Sequence, residues 1–152
     1  MKLAEALINR ADLQRRLNLL KTRLNNNARV QEGESPAEDP MLLLSELMEL
    51  TEQLEDLVTR INLTNSQTLD GDDTLTGLLA QRDIRGQELQ TLNDFLDNAS
   101  DLTQRYSKSE IKVGSTVDVA ELRKQTNALS AELRALDVRI QSLNWATELL
   151  DK

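Results

Sequence analysis

The sequence predicts a mainly α fold: a long-helix bundle with coiled-coil-like heptad seams and a minor short β element. Three observations predict it. Leucines recur at alternating steps of three and four residues, the spacing that lines one face of a helix. Leu, Glu, Gln, Ala and Arg, all strong helix formers, are abundant throughout. Breakers are scarce, with two Pro and five Gly in 152 residues, and aromatic residues make up only 2%, too few for an ordinary all-β core. The length suits a single domain over residues 1–152.

Helix one is expected over residues 2–24, with Leu3, Arg10, Leu17 and Leu24 at heptad position a and Ala6, Leu13 and Leu20 at d. Asn25, Asn26 and Asn27 follow, a residue type that tolerates the left-handed conformation ending a helix. Residues 25–39 form a polar loop, QEGESPAE its most flexible part. Helix two, over 40–65, starts with Asp39 as N-cap and Pro40 at the first helical position. Its seam, Leu43, Leu47, Leu50, Leu54, Leu57 and Ile61, is unbroken. Asp70-Gly71 is a turn signal between Thr68-Leu69 and Thr74-Leu75, so a short hairpin is expected there, with residues 66–70 as one β candidate.

Helix three is expected over 75–102, on Leu75, Leu78, Leu89, Leu92, Leu96 and Ala99. Gly86 in its middle costs about 1 kcal/mol relative to Ala. Residues 109–116 are the second β candidate, because Ile111 and Val113 alternate with Glu110 and Lys112. Helix four, over 119–151, opens on Asp118 as N-cap with Glu121 at N3, and Val117 and Leu122 are placed for a hydrophobic staple. Leu122, Leu129, Leu136, Leu143 and Leu150 then make a seven-residue ladder, with Val119, Thr126, Leu133 and Ile140 at the other seam position.

Composition removes whole classes of function. With no His and no Cys there is no zinc finger, thiol nucleophile, imidazole base or disulfide framework, and no metal or cofactor is expected. Lys and Arg number 18 against 26 Asp and Glu, a net charge of -8, which disfavours nucleic acid and anionic membranes as partners. No apolar run reaches the length of a membrane span. The opening MKLAEALINRADLQ carries charges through its apolar stretch, unlike a signal peptide, so the cytoplasm is the expected location.

Assembly is the expected partner relation. Helix four, at about 33 residues, spans about 50 Å against about 35 Å for helix one, so part of its ladder outruns a single-chain partner. Each buried leucine contributes about 1.5–3 kcal/mol. Trp145 falls at position f, on the outer face, and Leu149 at c; Trp145 either packs under a neighbouring loop or belongs to a second interface. The homo-oligomer interface is therefore assigned to Leu129, Leu136, Leu143 and Leu150 on the ladder, with Trp145 and Leu149 outside it. Residues 1–24 carry six basic and two acidic side chains, while 25–73 carry two basic and twelve acidic, which favours helix one lying antiparallel on helix two.

Arg82 and Arg85 occupy seam positions, as does Arg10. A buried guanidinium must pair, reach solvent or bind an anion. Glu46, Glu49, Glu52 and Glu55 have the ExxE spacing with which helical nucleotide pyrophosphatases hold Mg²⁺, but the leucine register rotates them outward, so a solvated face is expected. Arg105, Tyr106, Lys108 and Lys112 cluster basic groups around one aromatic, a poor stacking platform. Ser107 and Ser109 have no His to activate them. The reading is a non-enzymatic, self-assembling helical scaffold or interaction protein. The alternative is a small-ligand or anion-binding protein, or an enzyme acting on a phosphorylated metabolite, using Arg10, Arg82 and Arg85.

The blocks MKLAEALINRADLQRRL, RLNNNARVQEGESPAEDP, TLTGLLAQRD, RYSKSEIKVGSTVDVAELRKQ and LNWATELL together resemble the septicolysin-like family of small bacterial helical proteins, over essentially the whole chain. The resemblance implies a bacterial, cytosolic, mostly helical protein without a catalytic motif that forms homo-oligomers, from dimers up to hexamers. It also implies a shared site at Asn25, Asn26, Arg82, Asp83, Arg105, Tyr106 and Lys112. The membrane damage that the family label suggests finds no support in a chain with no Cys and no hairpin long enough to cross a bilayer, which takes about 9–11 residues per strand.

Overall fold

A computed structural model describes residues 1–102 and 112–152. The fold is mainly α with a very small sheet: α1 Leu3–Asn26, α2 Pro40–Gln67, β1 Leu69–Asp70, β2 Asp73–Thr74, α3 Leu75–Ser100 and α4 Val119–Ala146. The chain divides into two compact units, Met1–Leu75 with Ser142–Lys152, and Thr76–Gln141.

In the first unit α1 and α2 pack antiparallel. Leu20, Leu43 and Leu50 form a buried cluster, and Leu13, Leu24 and Leu47 pack against it. Further along the α2 seam, Leu57 and Ile61 are also buried. Where α1 ends beside the start of α2, the Arg23 guanidinium pairs with Glu38 at 2.6 Å and Glu46 at 3.3 Å. The hydrogen bond from Arg23 draws the Glu38 carboxyl below its ordinary range, and the same bond raises the guanidinium. Asp39 caps α2 by accepting from the Met41 N–H at 2.9 Å, ahead of Pro40.

The end of α1 differs from expectation. Asn25 and Asn26 complete the helix, and Asn27 stops it at φ -108°, outside the left-handed region. The reason is a side-chain bond pattern. The buried Asn27 amide donates to the Arg23 carbonyl at 2.8 Å and accepts the Glu38 N–H at 2.9 Å, fastening both ends of the loop to each other. α2 likewise runs two residues beyond the expected 65, to Gln67. There the Thr68 N–H and hydroxyl both donate to the Thr64 carbonyl.

β1 and β2 pair antiparallel, Leu69 with Thr74 and Asp70 with Asp73. Gly71, first in the two-residue loop, takes φ +65°, which a side chain would oppose. Of the two β candidates, 66–70 contracts to Leu69–Asp70, with the helix claiming the rest. In 109–116, residues 109–111 lie outside the described residues and 112–116 form no strand, the described sheet consisting of β1 and β2 alone.

The C-terminus departs furthest from expectation. α4 ends at Ala146 instead of continuing to 151. The tail turns against the N-terminus and α2, where tertiary hydrogen bonds replace the helical ones. The Leu3 N–H donates to the Thr147 carbonyl at 2.9 Å, and the Leu149 N–H to the Met1 carbonyl at 2.8 Å. Between them Lys2 and Glu148 form a β-bridge. Lys2 Nζ sits 2.6 Å from the Glu148 carboxylate and donates to the Ala146 carbonyl at the end of α4. The bonds from Lys2 and the N-terminal ammonium hold the Glu148 carboxyl below its usual range. Arg60 Nε reaches the Leu150 carbonyl at 3.1 Å, and the Leu150 N–H donates to the buried Thr64 hydroxyl at 3.0 Å. At 28 residues, α4 equals α2 and nearly matches α3 at 26. Against the 24 residues of α1, α4 is longer by four residues where about ten were expected.

The second unit is a pair of helices. Arg82 lies 3.8 Å from Asp137 and Arg85 3.1 Å from Glu132, so α3 and α4 run antiparallel. Among its described residues only Leu78, Leu96, Thr126 and Ile140 are buried. The other seam leucines, 89, 92, 122, 129, 133 and 136, are half-buried. α4 opens as the capping residues require, with the Glu121 N–H donating to Asp118 at 3.1 Å. α3 ends two residues short of 102, at Ser100, whose hydroxyl donates back to the Leu96 carbonyl at 2.7 Å. The helix passes through Gly86 unbroken.

Two substitutions test these assignments. Leu149, 8% exposed in the tail that turns against the N-terminus, should cost about 2–4 kcal/mol as Leu149→Ala, lost transfer energy plus a cavity, read as a lower urea midpoint at unchanged slope. Gly86→Ala should stabilise the chain by about 0.5–1 kcal/mol and raise Tm, because a Cβ there meets nothing within 4 Å.

Candidate functional site

The ion pair between Arg85 and Glu132 bridges α3 and α4 on one side of the second unit. Two adjoining pockets, about 290 and 370 Å³, lie along that side and share Arg85 and Glu132. Together they make one groove. Leu92 on α3 and Leu129 and Leu136 on α4 supply its apolar surface, and Ala128 and Ala135 its low wall. The helical repeat explains the layout. Leu129 and Leu136 are seven residues apart and so are Ala128 and Ala135, so each pair lines one side of α4. Small side chains beside large ones leave room for another helix to approach closely.

The expected site residues are divided between the two units. Arg82, beside Asp83 at 3.1 Å and near Asp137, is half-buried, and Arg85 is exposed on Glu132. Both seam arginines have carboxylate partners across their own helix pair, the first of the three outcomes open to them. Lys112, in the same unit, is exposed. Arg10, Asn25 and Asn26 belong to the first unit, and all three are exposed. Arg10 thus leaves its seam position for solvent, since its long stem can carry the charge past the leucines. Arg105 and Tyr106 lie outside the described residues.

Of the expected interface residues, Leu129 and Leu136 line the groove, Leu143 is half-buried, and Trp145 is 55% exposed on the outer face of α4. Leu149 is corrected: it is buried within its own chain, its N–H bound to the Met1 carbonyl, while Leu150 is half-buried with its N–H on the Thr64 hydroxyl. The ExxE glutamates do not converge. Glu46 is held by Arg23, and no group of three potential metal ligands exists among the described residues.

A second depression, about 830 Å³, lies in the first unit beside Asn9, Asp12, Arg16, Glu52, Glu55 and Asp56. Its charges are mixed. Asp12 pairs with Arg15 and Asp56 with Lys152 at 2.8 Å. The Lys152 bond and the nearby Arg60 hold the Asp56 carboxyl below its ordinary range against the opposing effect of desolvation. These are the contacts of a fastened tail, and they supply no nucleophile with its base.

Residues 10–149 match the family model described as a family of unknown function, DUF6847. The chain belongs to that family. The DUF6847 chain is also similar to a functionally unknown conserved protein from Corynebacterium diphtheriae, whose crystal structure it matches with 46% identity, 99% coverage of each chain and a TM-score of 0.93. No curated protein matches it. No helix of the described residues is long and apolar enough to cross a membrane.

Sequence reasoning missed Asn27, Thr64, Arg60 and Glu148, whose partners are up to 147 residues away along the DUF6847 chain. It also missed Ala128 and Ala135, although their seven-residue spacing beside the ladder is a readable signal. The Arg85–Glu132 pair is exposed, and exposed pairs contribute about 0–1 kcal/mol. Arg85→Ala should therefore lower unfolding stability by less than about 1 kcal/mol, measured by urea denaturation, in contrast to a buried seam charge.

Proposed function

We propose that this DUF6847 chain is an interaction protein that works by self-association, two copies meeting along the α3–α4 groove. The observation that carries the reading is the half-buried leucine surface of a unit built from two helices. Leu92, Leu129 and Leu136 each have one side covered and one side open. Two such pairs stacked face to face make a four-helix arrangement, the smallest common solution for amphipathic helices of this length.

Shape supports a second copy as the occupant. An α4 laid antiparallel on its counterpart and centred on Glu132 sets Leu136 level with Ala128 and Leu129 level with Ala135, each large side chain against a small one. The Glu132 carboxylates that meet at the centre each have an Arg85 beside them. A septicolysin-like identity, which implies homo-oligomers, forms part of the same proposal. Use of Arg82 and Arg85 on an anion would first require displacing Asp137 and Glu132, so the groove favours assembly over anion binding.

Sedimentation velocity at micromolar concentration tests this directly. The expected particle has twice the 17.1 kDa mass of the chain. Ala135→Glu, at an exposed position, should reduce it to one chain with an unchanged helical circular dichroism spectrum. A wild-type protein that sediments as one copy overturns the proposal, and so does a variant that stays assembled.

A further inference from the structure

The opening turns of α2 are apolar on two faces. Leu43, Leu47 and Leu50 belong to the core cluster shared with α1. Met41, Leu44 and Met48, at i, i+3 and i+7, form a second stripe on the outside. Met41 and Met48 are 71% and 72% exposed, and Leu42 beside them is 70% exposed. A helix that is apolar all round is ordinarily a buried one. Two of the three methionines of the protein stand on this stripe, and methionine is flexible and polarisable enough to fit varied apolar partners.

Acidic side chains follow the stripe. Glu49, Glu52 and Glu55 continue along the outward side of α2 and form no ion pair among the described residues, although Glu52 and Glu55 also border the depression lined by Arg16 and Lys152. The whole stretch from 25 to 73 holds twelve acidic residues against two basic ones. We propose that this face docks a basic amphipathic helix of a partner protein. Its apolar side chains would lie on Met41, Leu44 and Met48, and its Lys or Arg would face Glu49, Glu52 and Glu55.

Charge and spacing select this occupant over two others. An anionic lipid surface is repelled by the same glutamates. The basic helix of a second copy, α1, presents only Ile8 and Leu19 as exposed large apolar residues, three turns apart with the Asp12–Arg15 ion pair between them. That pattern does not match a stripe spaced i, i+3, i+7. The face belongs to the first unit and its residues are separate from those of the α3–α4 groove, so it stands or falls independently of self-association.

The test uses the full chain with ¹³C-methyl methionine and three synthetic peptides: an amphipathic leucine–lysine helix, a scrambled peptide of the same composition, and a leucine–glutamate helix. The expected result is that the leucine–lysine helix alone binds and shifts the Met41 and Met48 methyl signals while Met1 stays in place. Binding should weaken as salt rises. It should fall about tenfold or more in Met41→Ser/Met48→Ser and in Glu49→Gln/Glu52→Gln/Glu55→Gln, with circular dichroism unchanged in both. Equal binding of the scrambled peptide reduces the effect to net charge and overturns the proposal, as does binding that leaves the two methyls unmoved. Shifts of the same methyls on protein dilution without peptide would assign the face to a second copy, and shifts with phosphatidylserine vesicles to a membrane; either result overturns it.

Discussion

Leu20, Leu43 and Leu50 are dry because α1 and α2 lie antiparallel and each turns one leucine stripe toward the other. That pairing governs what the rest of the chain must do. A helix with one apolar stripe is satisfied by one neighbour, and α1 meets this condition. α2 has a second stripe over its opening turns, and α3 and α4 share a seam that two helices only half enclose. Hydrophobic burial scales with the area removed from water, so each uncovered surface is a place where association lowers the free energy. The two proposed interaction surfaces both follow from this count of stripes against neighbours.

Polar groups follow an equally strict rule, since a buried donor or acceptor needs a partner. Asn27 is the clearest case, with its amide serving both the last turn of α1 and the loop before α2. Thr64 is another. Its hydroxyl donates within α2 to the Arg60 carbonyl and accepts the Leu150 N–H from the tail. No buried side-chain nitrogen or oxygen among the described residues lacks a partner. The arginines at seam positions obey the same rule from the exposed side, Arg82 and Arg85 finding carboxylates on α4 while Arg10 reaches water.

The charge asymmetry between α1 and α2 contributes where the helices meet, through Arg23 with Glu38 and Glu46. Beyond that contact most of the acidic surface of α2 stays unpaired. Exposed pairs add little to stability, so in the proposed docking charge on this surface would bear on the choice of partner more than on the fold. The two proposed surfaces differ in charge: the α3–α4 groove is flanked by a matched ion pair, whereas the apolar stripe of α2 is followed by Glu49, Glu52 and Glu55, which form no ion pair among the described residues.

Helix existence and type were legible in the residues, because leucines at steps of three and four define a stripe whatever the stripe packs on. Asp39-Pro40 and Asp118 likewise marked two helix starts, since N-capping is settled within a few residues of the chain. The hairpin at Asp70-Gly71 was legible for the same reason. The end of α4 was not. The ladder of leucines continues in register to Leu150, yet the backbone leaves the helix after Ala146 because Met1, Leu3 and Thr64 offer hydrogen bonds from the other end of the chain. Nor did local pattern reveal which arginines pair and with what, or that Asn27 rather than Asn25 or Asn26 would be buried. The helices and their apolar stripes depend on neighbours one turn away and so are written in local pattern; where the last helix stops and which stripes stay open depend on groups distant along the chain, and packing settles them.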